Sequence, residues 1–282
     1  TVLFSSSQRD SIRVRVGGTG VRVSVPRKPC ALPLAPVCEG RMKLHLLETL
    51  GTMSGELVEF LTWILTDRAY LTARRHPEFA EACRSGGQVS HHLLQDLPEL
   101  LQRGILRPCS HPQGIPIPLF KVPKAGGMSA RLIGDCRPVN ALLPPPGDMG
   151  LPTVDTVLRS LLRHSWLAQR DAMSFFYQFG ISASLSELLL VRMGGARGPF
   201  QCLSWAVMPM GFKFAPGVAQ WTSWHLSTLA QIAGTSIVPW VDDFLFGADT
   251  KGELDAVLAR FHALAAHVNM CLKPDGQAGQ VI

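Results

Sequence analysis

The stretch TSIVPWVDDFLFGAD, residues 235–249, sets two aspartates, Asp242 and Asp243, side by side in an apolar, β-branched and aromatic run. Repulsion between like charges and the cost of desolvating them both oppose that placement, so a fold that contains it must supply a counter-charge. The apolar arms TSIVPW and FLFGA flank the pair as two strands flank a two-residue hairpin loop. Asp tolerates the backbone of such a turn, so on this segment alone a plain tight turn is a sufficient explanation. Asp171 changes the reading. It too ends a strand-like run, WLAQRD, and precedes aromatic residues. Three carboxylates at strand ends can converge on two divalent cations, each Mg2+ taking hard oxygen ligands. Such a pair of ions clamps the attacking and leaving oxygens of a phosphoryl transfer. The cations would be the missing counter-charge.

The rest of the chain sets bounds on this reading. Its 282 residues make one large domain or two modest ones with ample core. The net charge is +6, of which residues 1–40 contribute six basic against two acidic side chains. Residues 116–282 carry thirteen against eleven. A basic excess is compatible with a polyanionic partner. Seven cysteines are scattered with no CxxC pair, which argues against a disulfide framework or zinc ribbon and favours a reducing, intracellular setting, nucleus or cytoplasm. The apolar run LVEFLTWIL at 57–65 carries Glu59 and is too short to span a bilayer, and no membrane association is expected. No secretory signal is visible. A first residue Thr1 and a last stretch GQAGQVI give the expectation of an excerpt from a longer reading frame.

Alternation in SIRVRVGGTGVRVSV, residues 11–25, predicts a β-hairpin around a Gly-rich turn, with Arg13, Arg15 and Arg22 sharing one face. PRKPCALPLAPVCEG reads as a Pro-rich linker. Residues 42–84 have helical spacing at Leu57, Phe60, Leu61, Ile64 and Leu65, and HHLLQDLPELLQRG predicts a helix stopped by Gly104. The adjacent His91 and His92 would point to different faces of that helix, which fits solvated or capping side chains better than metal ligands. From residue 116 short strands and helices alternate irregularly. PIPLFKVPK and ARLIGD read as strands about an AGGMS turn. Residues 153–163 read as a helix. APGVAQWTSWHLSTLAQIAG reads as a helix with Pro216 near its first turn and Gly234 as its stop. TKGE at 250–253 is a capping box opening a helix with Leu254, Val257, Leu258, Phe261, Leu264 and Ala265 on one face. This pattern is α+β rather than a doubly wound sheet.

Five segments then follow one another over about 160 residues: FKVPK…ARLIGDCRPVN, RDAMSFFYQFGI, MPMGFKFAPGVAQ, WVDD and HVNMCLKPDG. Together they resemble the blocks of reverse transcriptases, in that family's order. The first resembles the fingers block, with Lys124 and Arg131 at its basic positions and Asp135, Arg137 and Asn140 as its terminal D-x-R-x-x-N. The second resembles D-x-x-x-x-[FY]-x-Q, which makes Asp171 a metal ligand and Phe176 the sugar-sensing aromatic. The third resembles P-x-G-x-x-x-[SA]-P-x-x-x-Q, the fourth the Y-x-D-D hairpin, and the fifth the lysine-bearing block, matched by Lys273. The relaxed third block is similar to retroelement enzymes of the tyrosine-recombinase (DIRS-like) class. Two positions depart from the pattern. Met210 stands where the third block usually has glutamine, beside the incoming nucleotide, and Trp240 stands where the fourth usually has tyrosine.

The resemblance implies a polymerase palm, an antiparallel sheet with packed helices, joined to fingers; the alternation and spacing read above put a mixed helical and β-hairpin extension before them. The implied divisions are a basic hairpin and linker over 1–40, a helical extension over 41–115, and fingers and palm over 116–282, stopping before a thumb. The implied reaction is RNA-templated DNA synthesis, joining a primer 3′-hydroxyl to a deoxynucleoside triphosphate with two Mg2+ ions, or Mn2+ in their place. Asp171 and Asp242 would hold the metals with Asp243 in support. The partners would be an RNA template, a DNA or RNA primer and the triphosphates. Lys124 and Arg131 would grip the triphosphate, Arg by its planar fork, though either alone reads as a solvated loop charge. Phe176 would exclude a 2′-hydroxyl; without the family it is an ordinary core aromatic. Lys273 would donate a proton to the leaving pyrophosphate. A rival of another class is a catalytically silent, domesticated domain that binds RNA or a protein partner. The intact aspartates speak against it, and Met210 and Trp240 for it. An RNA-templated RNA polymerase is disfavoured by the bulk of Phe176.

Overall fold

The computed structural model describes residues 2–3, 11–16, 19–24, 31–38, 40–46, 61, 63, 67–84, 91–109, 113–193, 201–274 and 278–280. Strands β1 (Val2–Leu3), β2 (Ser11–Val16) and β3 (Thr19–Ser24) form an antiparallel sheet, with β2 and β3 paired as the expected hairpin. Most of the helical face expected over 57–65 lies outside the described residues; within it Leu61 is helical and buried. Helices α1 (Asp67–Arg75) and α2 (Phe79–Arg84) follow. A 3-10 turn over His91–Asp96 then leads into α3 (Leu97–Gln102), which ends at Gly104 with φ 62°, as predicted.

Among the described residues ten more strands and five α-helices build the remainder. Strand β4 (Leu106–Pro108) belongs to a four-stranded sheet ordered β4-β10-β9-β5, with β5 (Ile115–Pro116), β9 (Leu189–Met193) and β10 (Gln201–Trp205). Strands β6 (Leu119–Pro123) and β7 (Ala130–Gly134) form a hairpin whose turn uses Gly126 and Gly127 at positive φ. The third sheet runs β11-β12-β8-β13, from β8 (Trp166–Asp171), β11 (Ser236–Trp240), β12 (Asp243–Ala248) and β13 (Ala278–Gln280), all antiparallel. Pro239 sits on the edge strand β11, where a missing N–H is tolerated. Helices α4 (Arg137–Ala141), α5 (Val154–Leu161) and α6 (Ala183–Leu188) connect the sheets. Helix α7 (Ala215–Ala230) packs on β11 and on α8 (Lys251–His267).

Local sequence explains the third sheet. Alternation along β12 buries Phe244, Phe246 and Ala248, and both aromatics meet Phe261 of α8 with ring centroids 4.6 and 5.1 Å apart. Thr250 and Glu253 cap α8 reciprocally, and Leu254, Val257, Leu258, Phe261 and Ala265 fill its inward face. Two expectations shift. Helix α7 stops at Ala230 with Gln231 as its cap, and Gly234, φ 81°, instead turns the chain into β11. In the β11–β12 hairpin Trp240 pairs with Asp243, so the two-residue loop is Val241–Asp242 rather than the aspartate pair.

The Pro-rich segment is not a free linker. Residues 31–38 and 40–43 lie against both the β6–β7 hairpin and the third sheet's surroundings. Ala35 N donates to Ala130 O and Ala130 N to Pro33 O, while Met42 N donates to Gln178 O and Lys43 N to Val268 O. Lys121, fully buried and paired with Asp96 at 2.7 Å, also donates to Leu32 O.

Candidate active site

Antiparallel register puts Asp171, the last residue of β8, opposite Asp243, the first of β12, so their side chains share a sheet face. Asp242 comes from the turn, and its carbonyl accepts from Ala172 N. Asp171 and Asp242 open onto one cavity of about 240 Å3, also lined by Lys124, Arg131, Phe176, Met210 and Lys273. Every predicted site residue except Asp243 therefore meets at one place. Asp243 stands beside it and accepts a hydrogen bond from Gln169 Nε2 at 2.9 Å.

The counter-charge question has a direct answer here. Lys273 forms an ion pair with Asp171 Oδ2, and its backbone N–H donates to the Asp171 carbonyl. The other carboxylate oxygen, Asp171 Oδ1, is buried without a partner. Burial, followed by the Asp171 and Asp243 charges, pushes the Asp242 carboxyl above the usual carboxylate range, with Lys273 acting the other way. Burial lowers the pKa of Lys124, as do Arg131 and Lys273, against the pull of Asp171 and Asp242. Two carboxylates and three cations thus face each other across a small cavity. Among the described residues no three His, Cys, Asp or Glu side chains are grouped closely enough to enclose a metal ion by themselves.

Four side chains that hold this geometry, Gln220, Ser223, Gln178 and Asn140, carried no catalytic or binding role in the sequence reading. Val241 has φ 54°, an uncommon and strained conformation for a β-branched residue. It is held from α7: Val241 N donates to Gln220 Oε1 at 2.6 Å, Ser223 Oγ donates to Val241 O at 2.6 Å, and Gln220 Nε2 donates to Pro239 O at 3.0 Å. Gln178, also fully buried, does the same for the lysine segment. Its Oε1 accepts from Cys271 N, and its Nε2 donates to Cys271 O and Met173 O. Both glutamines close motif blocks, and an amide inside an apolar run is a signal that it has backbone to satisfy. The terminal Asn140 of the first block bridges to the third, donating to Gly211 O and accepting from Lys213 N. Gly211 has no room for a side chain, because a Cβ there would lie 2.2 Å from Gly134 O.

No protein-family model and no curated protein matches the chain. Solved structures do. The prototype foamy virus protease-reverse transcriptase matches as a selenomethionine-labelled CSH mutant, TM-score 0.54 at 18% identity, and in native form, TM-score 0.52 at 20% identity. Those alignments cover 66% and 65% of this chain. Over that part the fold is reverse-transcriptase-like. The chain spans about a quarter of the length of the viral proteins, 24% and 23%. Within the reverse-transcriptase-like fold the mixed helix and sheet order matches the α+β expectation. Among the described residues no helix is long and apolar enough to cross a membrane.

Proposed function

We propose that this chain is the fingers and palm of an RNA-directed DNA polymerase of a retrotransposon-type element. The β6–β7 hairpin is the fingers element and the β8, β11 and β12 sheet is the palm. The observation that carries the reading is the convergence of Asp171, Asp242, Lys124, Arg131 and Phe176 on one cavity from three separate chain segments. A structural ion-pair network would not need an aromatic at the rim or an unpartnered carboxylate oxygen.

The residues fit a divalent cation. Mg2+ is commonly held by one or two carboxylates together with substrate phosphates and waters, not by an all-protein cage. Asp171 and Asp242 are such a pair, and Asp171 Oδ1 lacks a partner. When bound, Mg2+ or Mn2+ supplies charge stabilisation to the phosphoryl oxygens. Lys124 and Arg131 orient the triphosphate from the hairpin, with Arg131 presenting a fork to paired oxygens. Phe176 fills the space a ribose 2′-hydroxyl would take. Lys273, beside Asp171 in the same cavity, would protonate the leaving pyrophosphate. The template is RNA, the primer DNA or RNA.

Primer extension on an RNA template tests this. The wild-type chain is expected to add deoxynucleotides, and Asp171→Asn and Asp242→Asn to abolish addition while keeping the fold. Extension by Asp242→Asn at the wild-type rate would sink the assignment. A wild-type chain that binds RNA but never extends would point to the silent, domesticated alternative.

A further inference from the structure

The cavity has a wall that none of the motif blocks supplies. Leu34, Ala35 and Val37, from the segment before the helices, line it alongside the carboxylates and cations. Resting on the nucleotide-site reading above, we propose that residues 31–38 are the nucleoside-facing wall of that site, and that Leu34, Ala35 and Val37 set the room available to an incoming deoxynucleoside triphosphate.

Three observations support a fixed wall rather than a passing chain. First, the segment is anchored at successive carbonyls. Lys121 Nζ donates to Leu32 O at 2.8 Å, Ala130 N to Pro33 O at 2.9 Å, Ser174 Oγ to Pro36 O at 2.8 Å and Arg103 Nη1 to Val37 O at 2.6 Å. These donors come from the β6–β7 hairpin, from the turn after Asp171 and from the end of α3, so the segment ties the elements that carry the cations to those that carry the carboxylates. Second, Leu34 pairs with Ala130 as a parallel bridge, which places it one residue from Arg131. Third, Ala35 and Val37 are buried, at 6% and 8% exposure, although the cavity they border is open to a ligand.

The chemistry of the two ends differs. Lys124, Arg131 and Lys273 suit phosphate oxygens, whereas residues 31–38, a strap along the cavity, line it with Leu34, Ala35 and Val37, whose side chains are aliphatic. A nucleoside has an apolar ring face and sugar edge to set against such a surface. At about 240 Å3 the cavity is smaller than most ligand pockets, so a change of one or two methylenes in the wall alters what enters.

Steady-state extension of oligo(dT) on poly(rA) by the 282-residue chain, with equilibrium dialysis of labelled dTTP in parallel, tests the proposal. Ala35→Leu, which fills the cavity, and Leu34→Ala, which removes apolar contact, are each expected to raise KM for dTTP roughly tenfold with kcat little changed. Dialysis should show the same loss of dTTP, and affinity for the primer–template should not change. Ser174→Ala releases the Pro36 carbonyl and removes one hydroxyl from the cavity lining, and is expected to raise KM by a smaller factor, which keeps the test sound if Ala35→Leu fails to fold. Unchanged KM and dTTP affinity in folded variants would overturn the wall while leaving the polymerase reading intact. A lowered KM would overturn it in favour of an obstructing segment. A wild-type chain that neither binds dTTP nor extends the primer would remove the nucleotide-site reading, and the wall with it.

Discussion

The surroundings of Asp242 oppose its charged form. Its pKa is raised chiefly by burial and then by Asp171 and Asp243. A carboxyl whose folded pKa exceeds its unfolded one binds its proton more tightly in the folded state, so its contribution to stability is full at low pH and lost as pH rises through the folded value. Asp242→Asn is therefore expected to melt at a higher temperature than wild type at neutral pH in metal-free buffer, with the gain shrinking on acidification. Thermal melts across pH read this directly; a lower melting temperature for the variant at neutral pH would refute it. The acid limb of the extension rate should also lie higher than an ordinary carboxylate would give. Arg131 is exposed at the cavity edge. Arg131→Ala should raise the KM for triphosphate roughly tenfold with template affinity nearly constant, since one charge-assisted contact is lost. Loss of template affinity instead would move Arg131 onto the nucleic-acid track. Phe176→Val should raise ribonucleotide use relative to deoxyribonucleotide, and an unchanged ratio in competition assays would make Phe176 a packing residue.

The β11–β12 turn carries strain of about 1–3 kcal/mol at Val241 if it behaves as non-glycine left-handed residues generally do. Gln220 offsets it. Gln220→Ala leaves the Val241 N–H without its acceptor and should cost about 1–3 kcal/mol of stability along with most of the extension rate. Val241→Gly, which relieves the backbone, should restore part of the loss in the double variant. Additive effects in that double-mutant cycle would mean that the two positions are not coupled. The same turn marks a limit of sequence reading. The capping box of α8, the β6–β7 hairpin and the meeting of Asp171 with Asp242 were legible, because each rests on local chemistry or on blocks with fixed spacing. The turn's register was not. Propensity argues against a left-handed valine, and the two side chains that impose it sit on α7, 18 and 21 residues upstream. The strap was equally hidden, since PCALPLAPVC has no strand or helix period and its partners are remote in sequence.

Charge is distributed unevenly over the molecule, with a net +4 of the total +6 in residues 1–40 and +2 in residues 116–282. Binding to a nucleic-acid duplex depends on phosphate contacts, and the slope of log affinity against log salt falls by about 0.9 for each one lost on duplex DNA. Deleting residues 1–30, which spares the strap, should weaken primer–template binding at low salt and flatten that slope without changing the KM for triphosphate. A change confined to KM in salt titrations would contradict this division of roles. The strap also bears on how the molecule comes into being. Asn269 Nδ2 donates to Arg41 O across 228 residues of chain, and Lys43 is bonded to Val268. Such non-local closures make folding slow. At about 5–20 residues per second, a ribosome needs roughly ten to fifty seconds between releasing one side of that contact and the other. Throughout that interval Leu34 and Val37 border a cavity whose Asp242 and Lys273 side has yet to be made. The cavity around Asp171 thus cannot close until Lys273 has left the ribosome, long after its strap wall has been made.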